Sequence, residues 1–331
     1  MTNTPLSPRP LSGSSDVRRR VLSAAQLRAQ GVSAAEAGAH CRAGGPWQQV
    51  LPGVYLLRPG QPTSEERLHA ALLYAERRPG GEGEAMITGL AALALYRFAA
   101  APPLPALDHI DVLVPRTRRL RSTGCVRIVR ASADPPVARE VTGLPVAPVA
   151  RALADAVPHL ADAHTVRRLL TEAVRKGYCE PSAVVREFNR ARLLTRPHVV
   201  DAVDALLADG RALAEERLYE MVRVHQLPDP LWNVDLRLPG GPHLGGVDAY
   251  WPDQAVAVEL DTRSSRRDDD ESTWTAYTRK REHLERLGVT VVHLTPRKLR
   301  DALEQQAVVV RTALMAAGDR APAAYLVVLP R

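Results

Sequence analysis

Toward the C-terminal end the spacing of hydrophobic positions changes several times, and each change marks an element. Ala214, Leu218, Met221, Val222 and His225 recur every three or four residues, which predicts an amphipathic helix over 212–225 with Glu215 and Glu216 in its first turns. Leu227-Pro-Asp-Pro230 interrupts that stripe, and the run to Leu238 alternates apolar and polar as a half-buried strand does. Pro239-Gly-Gly-Pro242 reads as a turn. Gly246 to Asp261 then reads as two strands around a four-residue loop, Pro252 to Ala255. Ser272 can cap a helix running to Leu287 and ending at Gly288, Val289 to Leu294 is a buried-type strand, and Thr295-Pro296 opens a last helix through Ala316. The order is helix, three strands, helix, strand, helix.

The earlier part of the chain has other periods. Val21 to Gln30 and Ser33 to Ala43 read as two short helices separated by Gly31, the second with a capping box from Ser33 and Glu36. A hairpin over Gln48 to Leu57 follows, so the segment has a helix-turn-helix and a wing. Farther on, Glu65 to Arg77, Ile87 to Tyr96, Val149 to Ala156, Ala163 to Lys176 and Pro181 to Arg192 read as helices. Asp111 to Val114 and Cys125 to Val129 read as strands. The expected organisation is α/β of the α+β kind. It comprises a Ser/Thr/Pro-rich disordered tail (1–15), a winged helix-turn-helix (16–62), a mixed α/β middle domain (63–195), a mixed sheet flanked by helices (196–318) and a C-terminal tail (319–331).

Composition narrows the classes. Hydrophobic residues make up 45% of the 331, enough for packed cores, but aromatics are only 4%, so Leu, Val and Ala must fill them. No apolar run reaches the ~20 residues of a membrane span, and the N-terminus lacks the apolar core of a secretion signal. Three scattered cysteines without metal spacing suggest reduced thiols, and with the rest a cytoplasmic protein, nucleoid association included. The net charge of +7 is compatible with a nucleic-acid partner. Residues 1–62 hold seven Arg against Asp16 and Glu36, and residues 116–130 hold six Arg and no acid. Arg116, Arg118, Arg119 and Arg121 form a loop that either neutralises phosphates or is a solvated hairpin tip. Phosphate-binding glycine loops, serine-nucleophile elbows and zinc spacings are missing from the sequence.

Candidate chemistry concentrates on the 246–261 hairpin. With Trp251 facing Val256 across the loop, counting back sets Asp248 opposite Glu259, while Glu259 and Asp261 share a side of their strand. Carboxylates held this close repel one another, so a positive charge is expected between them, and a hard divalent ion with oxygen ligands suits the place. Mg²⁺ or Mn²⁺ held by Asp248 and Glu259 belongs to the chemistry of phosphodiester cleavage. The run Asp268 to Glu271, after Arg266-Arg267, reads instead as acids complementing the next helix's N-terminus.

These residues resemble the PD-(D/E)XK nuclease superfold, in particular its very-short-patch-repair-endonuclease-like branch. The matching positions are Glu215, Leu227-Pro-Asp-Pro230 with Asn233, Gly246-Val-Asp-Ala-Tyr-Trp-Pro252, Val258-Glu-Leu-Asp261 and Leu287-Gly-Val-Thr-Val-Val-His-Leu-Thr-Pro296. The resemblance implies that Asp248 and Glu259 bind the metal and that Glu215 supports the site. Asp261 stands where the superfold usually has lysine, as is general in this branch. Ser265 and Arg266 stand where relatives tend to carry an aromatic and a histidine, and arginine cannot serve as a base. Lys280, on the following helix, is the candidate substitute cation.

The N-terminal segment resembles the winged helix of the abortive-infection type IV antitoxins. Gly143-Leu-Pro-Val146 and Arg151-Ala-Leu-Ala-Asp155 match that family's second domain. The resemblance implies a second helix entering the major groove of duplex DNA, with Ser33, Glu36, His40 and Arg42 as contacts and Gln48 and Gln49 in the wing. It also allows a homodimer and a toxin or other defence partner, and no membrane is implied. Two functions follow from different classes. One is a Mg²⁺-dependent DNA endonuclease using Asp248, Glu259, Asp261, Glu215 and Lys280. The other is a non-cleaving transcriptional regulator or antitoxin-like DNA binder that keeps a degenerate nuclease fold.

Overall fold

The computed structural model describes residues 14–76, 85–132, 135–261, 270–318 and 326–331, and for 14–15, 270–277 and 318 the backbone alone. The chain is mixed α/β of the α+β kind, and it divides into two compact units. One is Met1–Ala173 with Arg190–Leu193, and the other is Val174–Asn189 with Leu194–Arg331. Residues 16–62 and most of the expected middle domain therefore share a unit.

The first unit opens with α1 (Ser14–Arg20), β1 (Val21–Ser23), α2 (Ala24–Ala29), α3 (Ala34–His40), β2 (Gln48–Leu51) and β3 (Val54–Leu56). The strands form a sheet in the order β1-β3-β2. The helix expected to begin at Val21 begins at Ala24, because Ser23 caps it in a box with Gln26 while Val21 to Ser23 pair with Val54 to Leu56. The tail expected over 1–15 lies outside the described residues up to 13, and Ser14 already belongs to a helix. Ser33 and Glu36 form the expected capping box, and Gln48 to Leu56 the expected hairpin.

The unit continues with α4 (Ser64–Ala75), β4 (Met86–Thr88), α5 (Gly89–Leu95), β5 (Ile110–Val114), β6 (Val126–Arg130), β7 (Arg139–Val141), β8 (Leu144–Val146), α6 (Val149–Ala156) and α7 (Ala163–Arg175). Its second sheet runs β6-β5-β4-β8-β7. Ile87 and Thr88 were expected in a helix but are strand, since the chain turns into α5 at Gly89, whose φ of +62° suits glycine.

The second unit comprises α8 (Pro181–Arg190), α9 (Pro197–Val224), β9 (Leu231–Arg237), β10 (His243–Trp251), β11 (Val256–Leu260), α10 (Asp270–Arg286), β12 (Thr290–Leu294), α11 (Pro296–Asp301), α12 (Leu303–Gly318) and β13 (Val327–Pro330). The sheet order is β12-β11-β10-β9-β13. β11 and β12 are parallel and the other neighbours antiparallel. One core cluster packs α9 and α12 on Ala249, Trp251, Val256, Val258 and Leu260. The other packs Leu284 of α10 and Leu287 just after it with Tyr250 and Ala257. Trp251 is 2% exposed, and its Nε1 donates to the Pro228 carbonyl at 2.7 Å, which ties the proline loop to the hairpin.

Several expected boundaries shift. The helix read as 212–225 is the second half of a 28-residue helix. α10 starts at Asp270, ahead of the expected cap Ser272. The last helix breaks at Ala302, which leaves helical dihedrals. Within the expected C-terminal tail, Val327 to Pro330 form an edge strand on β9. Among the described residues no helix is long and apolar enough to cross a membrane.

Candidate functional site

The hairpin sets the geometry. β10 and β11 pair as Trp251↔Val256, Tyr250↔Ala257 and Ala249↔Val258, and the ladder stops one pair short of 248 and 259. There the strands part. The Asp248 carboxylate accepts the Leu260 N–H at 2.6 Å, so a side chain satisfies that backbone donor. Asp248 and Glu259 are each 7% exposed, a depth at which a carboxylate without partners is costly.

Both have partners, reached from different helices. From α9, Arg211 donates Nη2 to Asp248 Oδ1 at 2.6 Å and Nε to Glu215 Oε1 at 2.8 Å. From α10, Lys280 sets Nζ 2.5 Å from Glu259 Oε1 and donates to the Gly246 carbonyl at 2.7 Å. His293, opposite Glu259 in the parallel ladder, brings Nδ1 within 3.7 Å of Oε2. Gly245, at φ +119° next to an irregularity in the β9–β10 register, makes room for the lysine, because a Cβ there would lie 2.5 Å from Lys280 Cε. Burial pushes the Asp248 carboxyl above its ordinary range. The Leu260 N–H and Arg211 pull it back, and the charges of Glu215 and Glu259 push it further up.

Asp248, Glu259, Glu215 and Lys280 are thus brought together. Asp261 stands beside them; its N–H donates to the Leu294 carbonyl at 2.8 Å, and its side chain lines a cavity of about 280 Å³ together with Arg211. Ser265, Arg266, Asp268 and Asp269 lie outside the described residues, and Asp270 and Glu271 open α10. Arg211 was missed by sequence reasoning. Its place four residues before Glu215 was visible, but the strand that this face of α9 meets was not.

The positive charge expected between the acids is supplied in this structure by Arg211 and Lys280. No group of three His, Cys, Asp or Glu side chains is gathered to hold a metal ion among the described residues. The donor set still suits a hard divalent ion. Glu259 Oε1 is buried with the Lys280 ammonium 2.5 Å away but off hydrogen-bond geometry, and Asp248 Oδ1 is held by a side-chain cation, Arg211, while Oδ2 keeps the Leu260 N–H.

The candidates for nucleic-acid contact, all in the first unit, divide into tethered and free groups. Ser33 and Glu36 spend their side chains on the cap. Gln48 donates to the Arg58 and Gly60 carbonyls, and Arg118 to those of Ala75 and Glu76. His40 stacks on Trp47 with centroids 4.4 Å apart but is itself exposed. Arg42, Gln49, Arg116, Arg119 and Arg121 are exposed, and α3 buries Ala37 alone, so its remaining surface faces out.

The first unit also holds an acid pair that sequence reasoning did not single out. Asp155 receives both ends of the Arg151 fork, at 3.0 and 2.7 Å, and the Thr88 hydroxyl at 2.6 Å. Asp111, paired with Thr88 across β4 and β5, receives both ends of the Arg127 fork. Compared with known proteins, no family model matches the chain and no curated sequence matches it.

Proposed function

We propose that this protein binds duplex DNA through a winged helix in its first unit and hydrolyses a phosphodiester through a PD-(D/E)XK-type site in its second, with Mg²⁺ or Mn²⁺. The observation that carries the reading is the parting of β10 and β11 around two buried carboxylates, with a lysine on one of them. Asp248 and Glu259 would hold the ion. When bound, it would lower the pKa of an attacking water and offset charge on the phosphoryl oxygens. Lys280 adds a fixed positive charge beside Glu259, in place of the lysine that Asp261 displaces in the motif. Glu215 anchors Arg211. The helix order α1-β1-α2-α3-β2-β3, with α3 turned outward and arginines exposed nearby, supports docking on the phosphate backbone.

Plasmid nicking in Mg²⁺ or Mn²⁺ tests it. Asp248→Asn and Glu259→Gln are expected to reduce cleavage by at least ~100-fold, the usual scale for removing a group that stabilises the transition state, without altering DNA affinity in EDTA. Cleavage that survives Asp248→Asn would remove the assignment. A second reading, a non-cleaving DNA-binding regulator, is favoured by Arg211 on Asp248 and by the absence of a third gathered ligand among the described residues. It requires salt-dependent duplex binding with no cleavage in either metal.

A further inference from the structure

Arg211 holds two carboxylates at once from a position 40% open to solvent, and it borders the 280 Å³ cavity beside the acid pair. Pro181, Leu207 and Pro296 give that cavity apolar walls, with Arg297 and Thr295 also lining it. Glu180, in the same wall, is taken up by Arg300 at 2.6 Å. The two contacts of Arg211 are unequal in kind. Its Nε bond to Glu215 lies within one helix, four residues apart, and needs no partner from the sheet. Its Nη2 bond to Asp248 crosses to β10 and competes directly with any other cation at Asp248 Oδ1. A guanidinium fork that keeps Nε on Glu215 and loses Asp248 leaves its outer nitrogens at the cavity, in the geometry that binds a phosphate.

Building on the nuclease reading, we infer that Arg211 is an internal stand-in for the metal. It latches Asp248 while the ion is absent and, once displaced, binds the backbone phosphate of the nucleotide next to the scissile bond. The cavity receives that nucleotide. Arg211 is therefore a positioning residue with opposite effects on the two ligands. Removing it takes away a competitor of the ion and a partner of the phosphate.

The test uses the intact chain with Arg211→Gln and Arg211→Lys. Mn²⁺ binding is followed by titration calorimetry, and affinity for a fluorescein-labelled duplex of about 20 base pairs is followed by anisotropy with and without Ca²⁺. Arg211→Gln is expected to bind Mn²⁺ about tenfold more tightly than the natural chain, the scale of one charge-assisted hydrogen bond. It is also expected to lose the Ca²⁺-dependent gain in duplex affinity, with Arg211→Lys in between. Adding Asp248→Asn should abolish the Mn²⁺ isotherm. Equal or weaker Mn²⁺ binding by Arg211→Gln overturns the latch, and an unchanged Ca²⁺-dependent gain overturns the phosphate contact. If neither chain shows Mn²⁺ binding that depends on Asp248, the ion site of the nuclease reading falls, a pattern distinct from failure of the latch alone.

Discussion

Each unit of this protein buries a pair of acids, and the two pairs are neutralised in different ways. In the first unit Asp111 and Asp155 are each clasped by both ends of an arginine fork, and Thr88 supplies a further donor to Asp155. Arg151 is only 12% exposed, and Arg127 33%. In the second unit Asp248 shares one arginine with Glu215, and Glu259 meets a lysine off the hydrogen-bond line and keeps a buried oxygen without a donor. Similar charges thus serve different ends. The first pair is held by bidentate forks, whereas Asp248 has one guanidinium nitrogen and one backbone N–H, and on the proposed function the guanidinium contact is the one a metal ion would displace.

The largest expected contrast comes from truncating the arginines. Arg151→Ala leaves Asp155 buried and uncompensated and should destabilise the first unit by about 3–5 kcal/mol. Arg211→Ala removes a half-exposed guanidinium from a buried Asp248 that keeps the Leu260 N–H, and should cost the second unit less, about 1–3 kcal/mol. Urea denaturation followed by hydrogen exchange separates the two, and equal losses would erase the distinction. Next in size is the response to metal. Mn²⁺ at a hundredfold excess over its Kd should stabilise the second unit by about 2.7 kcal/mol. The first unit should not respond, and Asp248→Asn should lose the effect.

Glycine substitutions sharpen the comparison further. Gly89→Ala drives a Cβ into the Asp111 carboxylate at a φ of +62° and should cost about 1–3 kcal/mol of first-unit stability. Gly245→Ala meets the end of a lysine chain that can swing away, so its stability loss should be smaller, within about 1–2 kcal/mol, while the Lys280–Glu259 contact breaks. The smallest effect concerns pH. Burial holds the Asp155 carboxyl above its ordinary 3.8 despite Arg151 and Thr88, with Asp111 adding to the rise. Between the unfolded and folded values the folded chain binds the extra proton, so stability from this group falls as pH rises through that window. Asp155→Asn should remove that downward slope from melting curves recorded upward from pH 4, whatever its uniform effect on stability.

Much of the second unit was legible because its signals are local. The Pro252 to Ala255 loop, the alternation around it and the stripe on α9 depend on neighbours within a few residues, and the pairing of Trp251 with Val256 follows from loop length alone. Lys280 could be nominated from the motif but not located. Its arrival at Glu259 depends on how α10 packs and on the room left by Gly245. Val21 to Ser23 and Ile87 to Thr88 were misread because short apolar runs suit helix or strand equally, and their strand partners lie tens of residues away. The Asp111–Asp155 centre was invisible for the same reason, being assembled from positions up to 67 residues apart.

The order of elements from α9 to β12, the mixed α/β class, the helix caps at Ser33 and Thr295 and the nomination of Asp248 and Glu259 came from the sequence itself, since propensity, capping and turn chemistry act over one or two turns of chain. What tertiary structure decided is which cation meets which acid. Arg211 and Asp248 are 37 residues apart, and whether their contact forms depends on which face of α9 lies against β10. That choice follows from packing the whole apolar stripe, in which the charged residues have no part.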